Sequence, residues 1–367
     1  MGRRLLAVAT VMTLAACGGD SSPTPTSPEA GTPNTPPPTT PMVTPLRRIV
    51  ENRGLRVKIG AAAGALFNST DAASAQYMTV LAREFNVLTP ENEMKFSSLR
   101  PSRTEYRYAR PDSMVTWAAS NNMLVRGHVL VWHSQLPNWL TSGSWTTAET
   151  RTLMLEHIAA VAGRYKGKLA AWDVVNEAYT DGTPTLRPGF WADRLGRSYI
   201  EDAFRAAYAA DSATPLYYND YNIEGLGAKS DSVYNLLRDL KARGVPVHGI
   251  GMQMHLIAGQ IPTVESLTAN FARFAALGLK IQITEMDVRV PTPGTAAMFA
   301  TQADNYRDVL NVCLQTTACD MFVVWGVTDR ASWIPSTFPG QGDALLFDRD
   351  FVAKPAYTAI NTLLSTR

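Results

Sequence analysis

From Pro45 onward the chain alternates short apolar runs with amphipathic helical stretches, and no Pro-rich linker interrupts the alternation. Eight runs read as strands: residues 57–62, 87–90, 124–132, 170–176, 216–219, 249–254, 280–284 and 321–327. Helical periodicity between them is clearest at residues 148–165, 198–210, 227–243, 264–277 and 296–314. Thr147 and Thr263 stand where helix caps are needed, and Gly244 and Gly278 stand where helices should stop. Strand–helix units repeated eight times in about 320 residues predict an α/β chain folded as a single (β/α)8 barrel.

A barrel of this kind carries its chemistry at the C-terminal ends of its strands. Two apolar runs finish there on a carboxylate, WDVVNE at Glu177 and IQITE at Glu285. A buried strand gains nothing from an unpaired charge at its end. An ion pair is the ordinary explanation for one such glutamate, whereas two facing carboxylates are the minimal equipment for cutting a glycosidic bond. With these two, seven of the eight strands carry polar or aromatic residues at that end. Glu91, Asn92 and Lys95 follow the second, and His128, Trp132 and Gln135 lie on or after the third. Asn176 precedes Glu177, Tyr218 and Asn219 end the fifth, and Gln253 and His255 end the sixth. Asp287 follows Glu285, Trp325 ends the eighth run, and Trp333 lies in the loop beyond.

Strand periodicity sorts these residues by face. His128 and Trp132 share a parity, as do Gln253 and His255, and Glu285 and Asp287. His133 has the opposite parity to His128, so a regular strand cannot bring both to one metal, and a structural role is expected for it. His157 and His248 read as core or surface histidines. Asn176 and Glu177 can both face a cleft only if the strand has already broken at that point. For Tyr218 and Asn219, strand-end structure and site contact remain equal alternatives.

The ends of the chain carry a different message. Gly2-Arg3-Arg4 followed by a largely apolar stretch of 12 residues, Leu5 to Ala16, suits a signal peptide and is too short to span a bilayer. Leu14-Ala15-Ala16-Cys17 resembles the bacterial lipobox, which predicts a signal at 1–16 and a lipid on Cys17. Between Asp20 and Pro45, nine of 26 residues are Pro and seven are Thr, so residues 17–45 read as an extended tether. The domain starts at residue 46 and runs to 367. Cys313 and Cys319 then remain as candidates for a disulfide in an exported protein. With 46% hydrophobic residues, 18% charged residues and a formal net charge of +2, nothing points to a nucleic-acid partner.

Seven segments in order, TPENEMK (89–95), GHVLVWHSQ (127–135), WDVVNEA (172–178), YYNDYN (217–222), GMQMHL (251–256), ITEMDV (283–288) and VWGVTD (324–329), followed by SWIP (332–335), resemble the xylanases of glycoside hydrolase family 10. The resemblance covers essentially all of residues 46–367. It implies a retaining endo-1,4-β-xylanase with Glu177 as acid/base and Glu285 as nucleophile, His255 bonded to Glu285, and Asp287 behind His255. It also implies sugar contacts from Glu91, Asn92, Lys95, Gln135, His128, Asn176 and Gln253, with Tyr218 less firmly among them, and aromatic walls from Trp132, Trp325 and Trp333. The neighbouring carboxylate is expected to raise the pKa of Glu177. Phe96, where the family more often has Trp, and Met254, where a small residue is usual, depart from the pattern. The partner implied is xylan or its oligosaccharides, with membrane contact only through the lipid. No cofactor or metal is expected, and a monomer is. The alternatives are another retaining barrel β-glycanase acting on β-glucan or mannan, and a non-catalytic polysaccharide-binding lipoprotein.

Overall fold

The computed structural model describes residues 43–367. The expected signal at 1–16, Cys17 and most of the tether lie outside the described residues. Thr44–Arg367 form one compact unit. Its strands, in chain order, are β1 Lys58–Ala63, β2 Val87–Pro90, β3 Leu124–Trp132, β4 Ala171–Asn176, β5 Leu216–Asp220, β6 Gly249–Met252, β7 His255–Ile257, β8 Lys280–Pro291, β9 Cys319–Val324 and β10 Gln341–Gly342. Parallel pairing runs from β1 through β6 to β8 and β9, and β9 returns to β1. These eight strands close a parallel barrel with helices between successive strands. The expected (β/α)8 fold is the one adopted.

The differences from expectation have local causes. β8 continues to Pro291 rather than stopping near Thr284, because β7 and β10 pair with its outer half and bury Met286, Val288 and Val290. The run expected at 249–254 splits into β6 and β7 at Met254, whose φ of +64° breaks the extended backbone. The cap expected at Thr147 falls one residue earlier. There the Thr146 side chain accepts from the Glu149 backbone N–H while the Glu149 carboxylate accepts from the Thr146 N–H, a reciprocal capping box. Thr263 caps its helix as expected, and Gly244 and Gly278 take left-handed φ values of +66° and +74°.

Most buried apolar side chains form one continuous core. Polar residues cross the barrel interior. Arg126 on β3 and Asp173 on β4 form a fully buried ion pair, and Arg126 Nε donates to Gln282 on β8 at 2.8 Å. β3 and β8 are not neighbours in the sheet, so this bond spans the interior. Removing one member of such a pair strands the other charge and costs about 3–5 kcal/mol. Cys313 and Cys319 are joined as a disulfide, with their Cα atoms 5.2 Å apart. It ties the end of the helix Ala296–Gln315 to the start of β9. No helix among the described residues is long and apolar enough to cross a membrane.

Candidate active site

The strand ends open into a cleft of about 690 Å³. Glu285 projects from β8, and Asn219 Nδ2 at the end of β5 donates to its Oε1 at 2.7 Å. Gly251 on β6 makes this approach possible, because a Cβ there would lie 2.1 Å from Asn219 Oδ1. His255 Nε2 lies 3.2 Å from Glu285 Oε2, and its Nδ1 lies 3.0 Å from Asp287 Oδ2. Burial alone would lower the His255 pKa, but Asp287 and Glu285 outweigh it and push it up to about 10. His255 is therefore an imidazolium at neutral pH. His128 Nδ1 lies 2.9 Å from Asp173 Oδ2, so the buried Arg126–Asp173 pair fixes a ring that sits 3.9 Å from Glu285 Oε1.

Glu177 follows directly on β4 with a left-handed φ of +56°. That conformation costs on the order of 1 kcal/mol in a non-glycine residue. Two backbone contacts hold it: its N–H donates to Asn219 O at 2.9 Å, and its carbonyl accepts from Arg187 Nε at 2.9 Å. The strand break is what lets Asn176 and Glu177 face the same space. Glu177 Oε2 accepts from Trp132 Nε1 at 2.8 Å and lies 3.0 Å from His133 Nε2. Its Oε1 accepts from Gln253 Nε2 at 3.0 Å and from Asn176 Nδ2 at 3.1 Å.

These bonds reverse one expectation. Burial raises the pKa of Glu177, but the contacts from His133, Gln253 and Trp132 overcome it and carry it down to about 2. With these donors in place Glu177 is a carboxylate, not an acid raised by its neighbour.

The two carboxylates belong to one polar network. Asn176 Oδ1 accepts from Asn219 Nδ2 at 2.8 Å and from Gln253 Nε2 at 3.2 Å. Those same amides hold Glu285 and Glu177 respectively. One oxygen of Asn176 thus sits between the partners of both.

A second cluster lines the cleft from β2. Lys95 Nζ donates to Asn92 Oδ1 at 3.0 Å, and Gln135 Nε2 approaches the same oxygen at 3.5 Å. Gly64 has no room for a side chain, since a Cβ would lie 2.3 Å from Glu91 Oε2. The Lys95 ammonium sits 4.9 Å from the Trp132 ring and 6.0 Å from that of Trp325. Trp333 stands edge-on to His255, with ring centres 4.9 Å apart. All three tryptophans border the cleft.

Two residues are placed differently from the sequence reading. Tyr218 does not reach the cleft: it is fully buried, and its hydroxyl donates to Asp220 Oδ2 at 2.6 Å and accepts from the Ala178 N–H. Strand alternation allows one of Tyr218 and Asn219 to face inward, and the inward one is Asn219. His133 is the converse case. β3 ends at Trp132, so strand parity no longer governs the next residue, and its ring turns onto Glu177. His157 is a core residue, stacked 3.8 Å from Phe96, and burial lowers its pKa to about 3. His128, Asp173 and Glu285 offer three ligand atoms within 4.8 Å of one another. Arg126 already occupies both Asp173 oxygens, so a cation there would have to displace it.

A parallel barrel with two networked carboxylates at its strand ends, walled by tryptophan, defines a barrel glycoside hydrolase. Comparison with known proteins narrows that class. The family described as "Glycosyl hydrolase family 10" matches residues 46–363. Among similar proteins, endo-1,4-beta-xylanase B of Thermotoga neapolitana is 43% identical over 324 residues, covering 88% of this chain and 92% of that protein. Endo-1,4-beta-xylanase D of Talaromyces funiculosus is 42% identical over 299 residues, covering 81% and 73%. The structure of xylanase 10B from Thermotoga petrophila RKU-1 in complex with xylobiose superposes with a TM-score of 0.84 at 43% identity, covering 88% of this chain and 97% of that one. This chain belongs to glycosyl hydrolase family 10.

Proposed function

We propose that the protein hydrolyses internal 1,4-β-xylosidic bonds of xylan with net retention, Glu285 acting as nucleophile and Glu177 as acid and then base. The observation that carries this reading is the Asn176 oxygen shared by the partners of both carboxylates. It ties Glu177 and Glu285 into one network, which fits a double displacement between carboxyl groups about 5–5.5 Å apart. The names of the family relatives favour xylan over β-glucan or mannan.

In the first step a Glu285 oxygen attacks the anomeric carbon, the glycosidic C–O bond breaks, and the leaving oxygen takes a proton from Glu177. The imidazolium of His255 and the Asn219 amide hold the Glu285 carboxyl group in place for attack. Glu177 needs a proton at this stage, although its donors favour the carboxylate. The contact with His133 Nε2 allows either partner to hold that proton, because a neutral imidazole accepts from a carboxylic acid at the same 3.0 Å. Sugar in the cleft displaces water and raises the carboxyl's proton affinity. In the second step Glu285 has become an ester and its charge is gone. Glu177, a carboxylate again, takes a proton from water as that water attacks the anomeric carbon and releases Glu285.

We also infer export and a membrane tether through lipid on Cys17, supported by the lipobox-like LAAC and the Pro/Thr run after it. Within that scheme the catalytic unit acts as a monomer.

Reducing-sugar release from xylan, carboxymethylcellulose and mannan tests the substrate. NMR of the first-formed product tests the stereochemistry. Release from xylan with an initial β-anomer is expected. Preference for either other polymer, or an initial α-anomer, overturns the reading.

A further inference from the structure

Besides the His255 imidazolium, the wall of the cleft carries two cationic side chains, Lys95 and Arg289. Lys95 lies in the field of Glu285, Glu91 and Glu177 without an ion pair among the described residues, and donates to Asn92 Oδ1 at 3.0 Å. Arg289 has no carboxylate within ion-pairing distance among the described residues. It lies four residues beyond Glu285 on β8, on the same face, roughly 13 Å along the strand at about 3.3 Å per residue. Its Nε donates to Gln341 Oε1 at 2.8 Å, and this is its one side-chain hydrogen bond among the described residues. The guanidinium lies against the Phe338 ring, 4.1 Å from its centre, and Phe338 in turn packs on Trp333. The nearest acidic group along the strand, Asp287, is committed to His255 and Trp333.

A guanidinium flattened on an aromatic ring is oriented before any ligand arrives, and its two terminal nitrogens form a fork that matches a carboxylate. A neutral polysaccharide backbone offers no such group. We propose that Arg289 binds the carboxylate of a uronic acid branch on the substrate chain, so that the cleft selects acid-substituted xylan. This inference rests on the xylanase reading above. The distance of Arg289 from Glu285 keeps the branch clear of the bond being cut, and Phe338 and Trp333 supply the apolar surface along which the branched unit lies.

The test compares three substrates of equal backbone length: a linear xylo-oligosaccharide, the same chain bearing one uronic acid branch, and the methyl ester of that branched chain. The wild-type enzyme is expected to favour the acid over its ester in kcat/KM, with the preference shrinking as salt is added. In Arg289→Gln the ratio of acid to linear substrate should fall roughly tenfold, the size expected for losing a charged hydrogen bond. Arg289→Lys, which keeps the charge and loses the fork, should recover part of that ratio. Equal treatment of acid and ester by the wild type, or an equal loss on linear and branched chains in Arg289→Gln, overturns the proposal. Failure of the wild type to cleave the linear chain would instead overturn the xylanase reading itself.

Discussion

The indole N–H of Trp333 donates to Asp287 Oδ2 at 2.8 Å, on the oxygen that also lies 3.0 Å from His255 Nδ1. A wall of the cleft is thereby tied to the His255 that supports Glu285. Trp333→Phe keeps an aromatic surface and loses the N–H. It should lower kcat by about tenfold, the equivalent of about 1.4 kcal/mol, while KM for xylo-oligosaccharides changes little. A change confined to KM would show that Trp333 is wall alone.

The role of Glu285 is open to direct labelling. A 2-fluoro-xylobioside inactivator should leave its sugar on Glu285, and Glu285→Ala should abolish the chemical step on every substrate. Peptide mapping that recovers the label on another residue refutes the assignment.

Glu177 can be separated from it by leaving group. Glu177→Ala should be severely slow on xylan and far less impaired in glycosylation by an aryl xylobioside with an acidic phenol, which departs unaided. Azide should then accelerate turnover and give the β-xylosyl azide. Equal damage on both substrates without azide rescue contradicts the acid/base role.

His255 makes stability depend on pH with a definite sign. Its pKa rises from 6.5 to about 10 on folding, through Asp287 and Glu285 against the opposing effect of burial. The stabilisation is fully present below pH 6.5 and is lost as the pH climbs through 10. Urea midpoints measured from pH 6 to pH 10 should fall, and should fall less steeply in His255→Asn. Identical slopes in the two proteins would dissociate His255 from the effect.

The tether is tested in cells. In a bacterial host the wild-type protein should fractionate with membranes through acyl chains on Cys17, each buried methylene contributing about 0.8 kcal/mol. Cys17→Ser should remain active and lose that association. Wild-type protein free in the medium, with a mature N-terminus elsewhere than Cys17, refutes the anchor and leaves the catalysis untouched.

The sequence carried the barrel because period-two and helical patterns are local, and eight alternations leave few other ways to bury so many apolar runs. It carried Glu177 and Glu285 because a carboxylate closing an apolar run is conspicuous. Parity also put Glu285 and Asp287 on one face of β8, where Glu285 lines the cleft and Asp287 is buried behind His255. That rule failed where strands end or break. It could not choose between Tyr218 and Asn219 without knowing which face of β5 is inner, and it turned His133 away from a site that the chain reaches by leaving β3. Arg126 and Asp173 were illegible for a related reason: each is an isolated charge in an apolar run, and only barrel closure brings them together with Gln282 across the interior. The charge state of Glu177 was also beyond the sequence. Its pKa is set by donors from the ends of β3 and β6 that converge on one carboxylate, and only the closed barrel fixes that convergence.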